Sequence, residues 1–236
     1  MRSARKGCRR SASTRGTPTL VAARSQLRNA IVQMSNQIRG LMKTFGLIVP
    51  KRAGRVFENH VRRLLADAAD LARIMLPLLE AWRSLRGRAA ELDRQLLALS
   101  RQNKASALLM SIPGVGAVTA SSYVAAIEDP ANFRSSRSVG AWLGLTTRRY
   151  QSGKVDYDGH ISRRCDSRLR ALLYEAATTI LTRVAADSAL RTWGLALREK
   201  VGFKRAAIAV ARKLAVIMHT MLKTGQPFDR LAGSAA

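Results

Sequence analysis

The residues best suited to do chemistry in this sequence gather around Ser152. It sits in the run TRRYQSGKVDYDGHISRRCDSRLR, with Arg148, Arg149 and Lys154 beside it and Arg163, Arg164, Arg168 and Arg170 a little further on. A serine hydroxyl is a weak nucleophile unless its surroundings activate it. Guanidinium groups on both sides would favour its alkoxide and stabilise the charge that builds on a pentacoordinate phosphorus, the electrostatic work that phosphoryl transfer requires. Tyr150 and Tyr157 lie among the arginines and offer aromatic faces to bases or sugars. A Ser-Gly pair taken alone is an ordinary loop, and His160 is read as incidental to the turn rather than as a base. Spacing alone therefore gives a phosphate-binding segment, within which the arginines single out Ser152 as the candidate nucleophile.

A second candidate precedes it, in SIPGVGAVTASSYVAAI at residues 111–127. Pro113 and Gly114 set a tight turn, Gly116 allows close backbone approach, and a helix is predicted from Thr119 to Ile127. Free N–H groups at such a helix start make a seat for phosphate, and the pattern is that of a helix-hairpin-helix that grips nucleic-acid backbone. The plainer reading is a helix-helix turn with glycines for packing. Gly114 and Gly116 are the candidate contacts.

Metal chemistry has little support in the residue pattern. His160 and Cys165 stand five apart with no second pair, and the carboxylates are too scattered for a two-metal cluster.

The elements that must position these groups are predicted to be mainly helical. Leu27, Ile31, Met34, Ile38, Leu41 and Phe45 recur three and four apart before Gly46 and Pro50 supply a stop. From Val61 through Leu64, Ala68, Leu71, Met75, Leu78, Trp82, Leu85, Ala89, Leu92 and Leu96 to Leu99 the steps of 3 and 4 never slip, the mark of a coiled coil. Pro77 inside it predicts a kink or break. The partner for this seam is the preceding helix folded back, or a second copy of the chain. Helices are further predicted over Asp166–Arg183, from about Ser188 to Lys200 and from about Lys204 to Lys223, the last with Ile208, Ala211, Ala215, Met218 and Leu222 on one face. Trp142 reads as core, and Asp158-Gly159 as the turn of a small irregular hairpin. The expected organisation is a disordered basic tail at 1–17, coiled-coil linker helices at 18–104, a compact helical domain at 105–228 and a short tail at 229–236.

Composition says what such a molecule would hold. The 236 residues include 41 Lys+Arg against 15 Asp+Glu, a formal charge of +26, and charge on that scale calls for a polyanion. The cations are spread along the whole chain rather than set beside one apolar helix face, so nucleic acid is expected ahead of a membrane surface. A hydrophobic content of 47% excludes wholesale disorder. Cys8 and Cys165 give no disulfide framework and suit a reducing cytoplasm. The basic start lacks the apolar stretch of a secretory signal, and no segment reads as membrane-spanning.

The segments PGVGAVTA, DPANFRSSRSVGAWLGLT, RRYQSG, GHISRRCDSRLR and LLYEAA, in that order, resemble the carboxy-terminal domain of the IS-one-ten and IS-eleven-eleven group of bacterial transposases. SQLRNAIVQMSNQIRGLMKTFGL is similar to that family's linker helix and KRAAIAVARKLAVIMHTM to its closing helix, so the likeness runs from about Leu20 to Phe228. The resemblance implies DNA transposition in which the serine of the Gln-Ser-Gly motif, here Ser152, attacks DNA and holds it covalently. It further implies an amino-terminal RuvC-like domain whose acidic residues bind divalent metal, an element-encoded guide RNA, a coiled coil that joins copies of the chain, and a place on the bacterial nucleoid.

Three positions depart from the family pattern. Residues 1–17 match nothing in it and no acidic amino-terminal domain precedes the linker, so no cofactor is expected in this chain. Thr147 stands where proline usually follows Leu-Gly-Leu-Thr, and Cys165 where glycine is common. Two other readings remain beside the recombinase: a truncated remnant that only binds nucleic acid, and an unrelated basic RNA-binding helical protein.

Overall fold

The computed structural model describes residues 12–51, 54–152, 155–162 and 166–230. Within these the chain is mainly helical with one two-stranded sheet. Thr19–Leu96 forms one compact unit, and the described residues from Leu97 onward belong to another.

In the first unit α1 (Ala12–Thr44) is followed by α2 (Arg55–Leu64) and α3 (Ala69–Gln102). α1 begins eight residues before Leu20, so residues 12–17, read from the sequence as tail, are helical; residues 1–11 lie outside the described residues, as do 231–236. The 3.5-residue run is not one helix, because it is interrupted between α2 and α3, where the Leu65 and Ala68 amides close turns on Val61 and Leu65. Pro77 does not break α3.

Ile38 and Met42 from α1, Phe57 and Val61 from α2, and Met75, Leu79 and Trp82 from α3 form the core of this unit. The Phe57 and Trp82 rings meet at 4.9 Å, and the Trp82 indole N–H donates to Ser35 Oγ at 2.8 Å. Burying an indole needs such a partner for its one polar atom. Truncating Trp82 to alanine would cost about 3–5 kcal/mol at a site of this kind.

The seam of α3 departs from the heptad in an instructive way. Met75, Trp82, Ala89 and Leu96 are buried one heptad apart. Leu79, Arg86 and Asp93 follow on one side of this row and Leu78, Leu85 and Leu92 on the other; Leu79 is buried and the rest are half-buried, while Leu99 is 44% exposed. Arg86 lies over the Trp82 ring, and the Asp93 carboxylate accepts from both Arg24 and Arg28 of α1. The contact is a helical hairpin within the chain, polar along one row, and not a continuous apolar coiled-coil seam.

The second unit starts in the last turns of α3. It continues through α4 (Lys104–Leu109), α5 (Ala117–Ile127), α6 (Ser138–Trp142), β1 (Thr147–Ser152), β2 (Val155–Ile161), α7 (Ser167–Thr182), α8 (Ala189–Val201) and α9 (Phe203–Thr224). The three closing helices follow the sequence expectation closely. Asp166 and Ser188 cap α7 and α8 by accepting from the Arg168 and Arg191 amides, and left-handed Gly225 ends α9.

α9 is the axis of this unit. Its Ala207, Val210, Ala211, Leu214, Ala215 and Met218 are buried against the other helices, and the small residues let them approach closely. Ile208, placed by the sequence on the core face, is half-buried on the flank and lines a cleft. Tyr123 of α5 is fully buried and donates from its hydroxyl to the Ala215 carbonyl at 2.6 Å, with burial pushing its pKa up.

Candidate nucleic-acid interface

β1 and β2 pair antiparallel with Tyr150 opposite Tyr157 and Ser152 opposite Val155. Asp158-Gly159 is not the turn of this hairpin but lies within β2, opposite an irregularity in the register between Thr147 and Arg149. Tyr150 and Tyr157 stack across the strands with centroids 5.2 Å apart, and both are exposed. Gly159 makes room for this stack, since a Cβ there would come within 2.6 Å of Tyr150 Cε2. Side chains alternate along a strand, so Tyr150 and Ser152 share one face of β1, while Arg148 sits in the irregularity and lines the same cleft as Tyr150.

That face borders a cleft of about 1390 Å³, enclosed by the hairpin, by Trp193 of α8 and by the outer side of α9. Arg205, Ala209, Arg212 and Val216 succeed one another along α9 at helical spacing and line the cleft, with Lys213 beside them. Arg137 and Arg148 add two more cations from the other walls. Among the described residues lining it there is no carboxylate, so five fixed positive charges face one volume unopposed. Lys213 Nζ sits 4.6 Å from the centre of the Trp193 ring, and the Arg212 side chain runs past Gly140, where an added Cβ would meet its Cγ at 3.0 Å.

The wall that carries Arg137 is tied to α9 by His219. This side chain is fully buried, with Nδ1 2.9 Å from Ser136 Oγ and Nε2 3.2 Å from the Pro130 carbonyl. A carbonyl only accepts, so Nε2 carries the hydrogen and Nδ1 accepts from Ser136 when the ring is neutral. Burial holds the His219 pKa below its ordinary value; Lys223 adds to the lowering and the Pro130 bond opposes it. Phe133 packs edge-on against both His219 and Trp142, at 5.1 and 5.4 Å. Trp142 is 40% exposed and is not the core residue expected from its apolar neighbours.

The glycine turn lies elsewhere in the unit. Gly114 has φ +93° and sits against α7, where a Cβ would approach Ile180 Cγ1 to 2.8 Å. Gly116 is exposed and precedes α5 with no side-chain cap, so it leaves the first amides of that helix unclaimed by any capping side chain.

The structure therefore groups only some of the predicted site residues. Arg148 lines the cleft; Ser152 ends the same strand and is exposed; Arg149 belongs to that strand, opposite Asp158. Arg168 is in the first turn of α7, and Gly114 and Gly116 are on the α4–α5 turn, none of them on the cleft wall. Lys154, Arg163 and Arg164 lie outside the described residues, as does Cys165. Among the described residues no three His, Cys, Asp or Glu side chains converge.

Residues 106–192 match the model of the Transposase IS116/IS110/IS902 family. A protein of Sinorhizobium fredii named as a transposase, y4pF/y4sB, is 33% identical over 222 residues, 92% of this chain and 57% of that protein. The transposase for insertion sequence element IS1111A of Coxiella burnetii is 32% identical over 208 residues, 86% of this chain and 57% of the relative. A Pseudomonas aeruginosa protein named as a family 20 transposase is 29% identical over 219 residues, 90% of this chain and 65% of that protein. Over residues 106–192 the chain matches this transposase family, and over most of its length it is similar to these relatives.

The chain spans between 57% and 65% of the length of those three relatives. The segment matching the family model holds Gly114, Gly116, Arg148, Arg149, Ser152 and Arg168 and stops one residue before Trp193. The α9 wall of the cleft follows that segment. Sequence reasoning missed Trp193, Arg205, Arg212 and Lys213 as site residues. The signal that could have found them is the pair Arg205 and Arg212, seven apart on the helix side away from the alanines.

Proposed function

We propose that this chain is the strand-handling part of an insertion-sequence transposase, in which Ser152 attacks a DNA phosphodiester beside the cationic cleft. The observation that carries the proposal is the shared face of β1. Arg148 and Tyr150 line a volume with five cations and no carboxylate among its described walls, and Ser152 follows Tyr150 on that face. Phosphate is the polyanion that relieves such charge. The names of the relatives, a transposase and the transposase for an insertion sequence element, supply the reaction class.

In the proposed step Ser152 Oγ forms a bond to phosphorus and one bridging P–O bond of the DNA breaks. The departing DNA oxygen takes up a proton, the serine loses its own, and the strand stays linked to the protein as a phosphodiester ready for reversal onto another hydroxyl. Arg148 and Arg149 would balance charge on the non-bridging oxygens. Lys154, Arg163, Arg164 and Arg168 would hold flanking phosphates, and the amides after Gly114 and Gly116 would hold backbone further along the duplex. No step here runs through a metal ion. DNA, an element-encoded guide RNA and further copies of the chain are the partners of this reading, which places the protein on the bacterial nucleoid.

The test is incubation of the chain, alone and together with a full-length family member carrying Ser→Ala at the equivalent serine, with duplex DNA from the ends of its element, followed by denaturing electrophoresis and peptide mapping. A protein–DNA adduct mapped to Ser152 and absent from Ser152→Ala is expected. An adduct that persists in Ser152→Ala, or no adduct even with the helper present, overturns the nucleophile assignment.

A further inference from the structure

The cleft carries more than charge. Tyr150, Tyr157 and Trp193 all present ring surface to it, with exposures of 46, 56 and 37%. Duplex DNA has no use for these rings, because its base faces are already stacked on one another and only edges and phosphates reach a protein. Aromatic faces set in a cationic groove are how unpaired strands are held: bases stack on the rings and the backbone follows the cations. The volume of about 1390 Å³ also exceeds the roughly 300–1,000 Å³ of a small-ligand pocket, so a run of nucleotides fits the space better than a single one.

We propose that the cleft between the hairpin and α9 binds an unpaired nucleic-acid strand, with bases stacked on Trp193 and on the Tyr150–Tyr157 pair and phosphates held by Arg205 and Arg212. Trp193 is the anchoring ring. Lys213 covers part of it and fixes its orientation, and the cation raises the local potential where a phosphate must arrive. At the opposite wall Tyr150 is braced by its partner Tyr157 and by Gly159, so the pair offers a rigid platform in place of a mobile side chain. Rigid rings lose little freedom when a base settles on them, which makes stacking there effective. The proposal rests on the nucleic-acid reading above but not on Ser152 as nucleophile. A strand that must be exchanged has to leave its duplex, and this seat would take it when it does.

Binding of fluorescein-labelled probes to the full chain tests this by anisotropy, using dT12, rU12 and a 12-base-pair duplex at fixed salt. Single strands are expected to bind at least about fivefold more tightly than the duplex. Trp193→Leu should weaken single-strand binding about tenfold while leaving duplex binding within about twofold, and Trp193→Phe, which keeps a ring, should restore most of the loss. Preference for dT12 or for rU12 names the strand as DNA or RNA, and either supports the seat. Equal affinity for strand and duplex, or an equal loss on both in Trp193→Leu, overturns the unpaired-strand proposal and leaves the DNA-binding reading standing. No binding to any probe overturns both.

Discussion

Lys213 holds its ammonium 4.6 Å from the centre of the Trp193 ring, which joins α9 to α8 at the mouth of the cationic cleft. The pair couples an aromatic surface to a positive charge at one point of the cleft lining. If Lys213 neutralises one phosphate, Lys213→Gln should reduce the slope of log affinity against log salt by about 0.7–0.9. Titrations of a single-strand probe at several salt concentrations measure it. An unchanged slope would remove Lys213 from the interface.

Gly114→Ala should destabilise the protein by about 1–3 kcal/mol, measured as a fall in the denaturant midpoint. Its φ of +93° disfavours any side chain, and the added carbon would press within 2.8 Å of Ile180 Cγ1 in the core of the second unit. A neutral result would mean that the turn can move away from α7.

The clamp of Arg24 and Arg28 on Asp93 gives a second stability prediction. Burial alone would raise the Asp93 pKa, but the hydrogen bonds and charges of the two arginines outweigh it and hold it below the ordinary 3.8. The depressed value means that the clamp stabilises fully above 3.8 and is lost as pH falls through the lowered folded value. Asp93→Asn should therefore cost about 1 kcal/mol at neutral pH, a modest figure because the pair is part-exposed, and the difference from wild type should vanish in acid. Urea unfolding at pH 7 and pH 2.5 compares the two.

His219 acts in a different window. Its pKa lies below the ordinary 6.5, so the folded state prefers the neutral ring; the stability this gives is present above 6.5 and declines as pH falls through the lowered folded value. His219→Gln can still donate to Pro130 and accept from Ser136. Thermal unfolding between pH 7.5 and pH 5 should show a Tm that falls on acidification in the wild type and falls less in His219→Gln. Parallel profiles would show that another group titrates.

Much of the fold was legible because it follows local rules. The helices expected from Asp166 and from about Ser188 are α7 and α8, which those two residues cap, and the spacing of apolar positions placed α9 to within a residue or two at each end. What misled the reading was tertiary choice. The steps of 3 and 4 from Val61 to Leu99 fit one long coiled coil, yet the run is divided between α2 and α3, and α1 brings Ser35, Arg28 and Arg24 to α3, so Arg86 and Asp93 share the contact with half-buried leucines. The hairpin turn went astray for a similar reason: Asp158-Gly159 is a strong turn signal, but its glycine is spent on giving space to Tyr150.

The site was legible on one side only. Arg148, Tyr150, Ser152 and Tyr157 are close in sequence, and their chemistry shows in a single window. Trp193, Arg205, Arg212 and Lys213 lie about forty or more residues beyond Ser152, and only the packing of α8 and α9 brings them opposite the hairpin. A helix with alanines on one side and cations on the other reads first as a solvated surface, and it becomes a site only when something stands across from it.

The central claim is that the nucleic acid lies in the cleft and is not held by the net charge at large. Arg205→Glu/Arg212→Glu and Arg73→Glu/Arg83→Glu each change the charge of +26 by the same four units, the second pair being exposed on α3 and absent from the cleft wall. Affinity for a labelled oligonucleotide, measured by anisotropy at one salt concentration, compares them directly. The account expects the cleft pair to lose about tenfold or more, because phosphate contacts are made there, and the α3 pair to lose less than about threefold. Equal losses from the two pairs would contradict it.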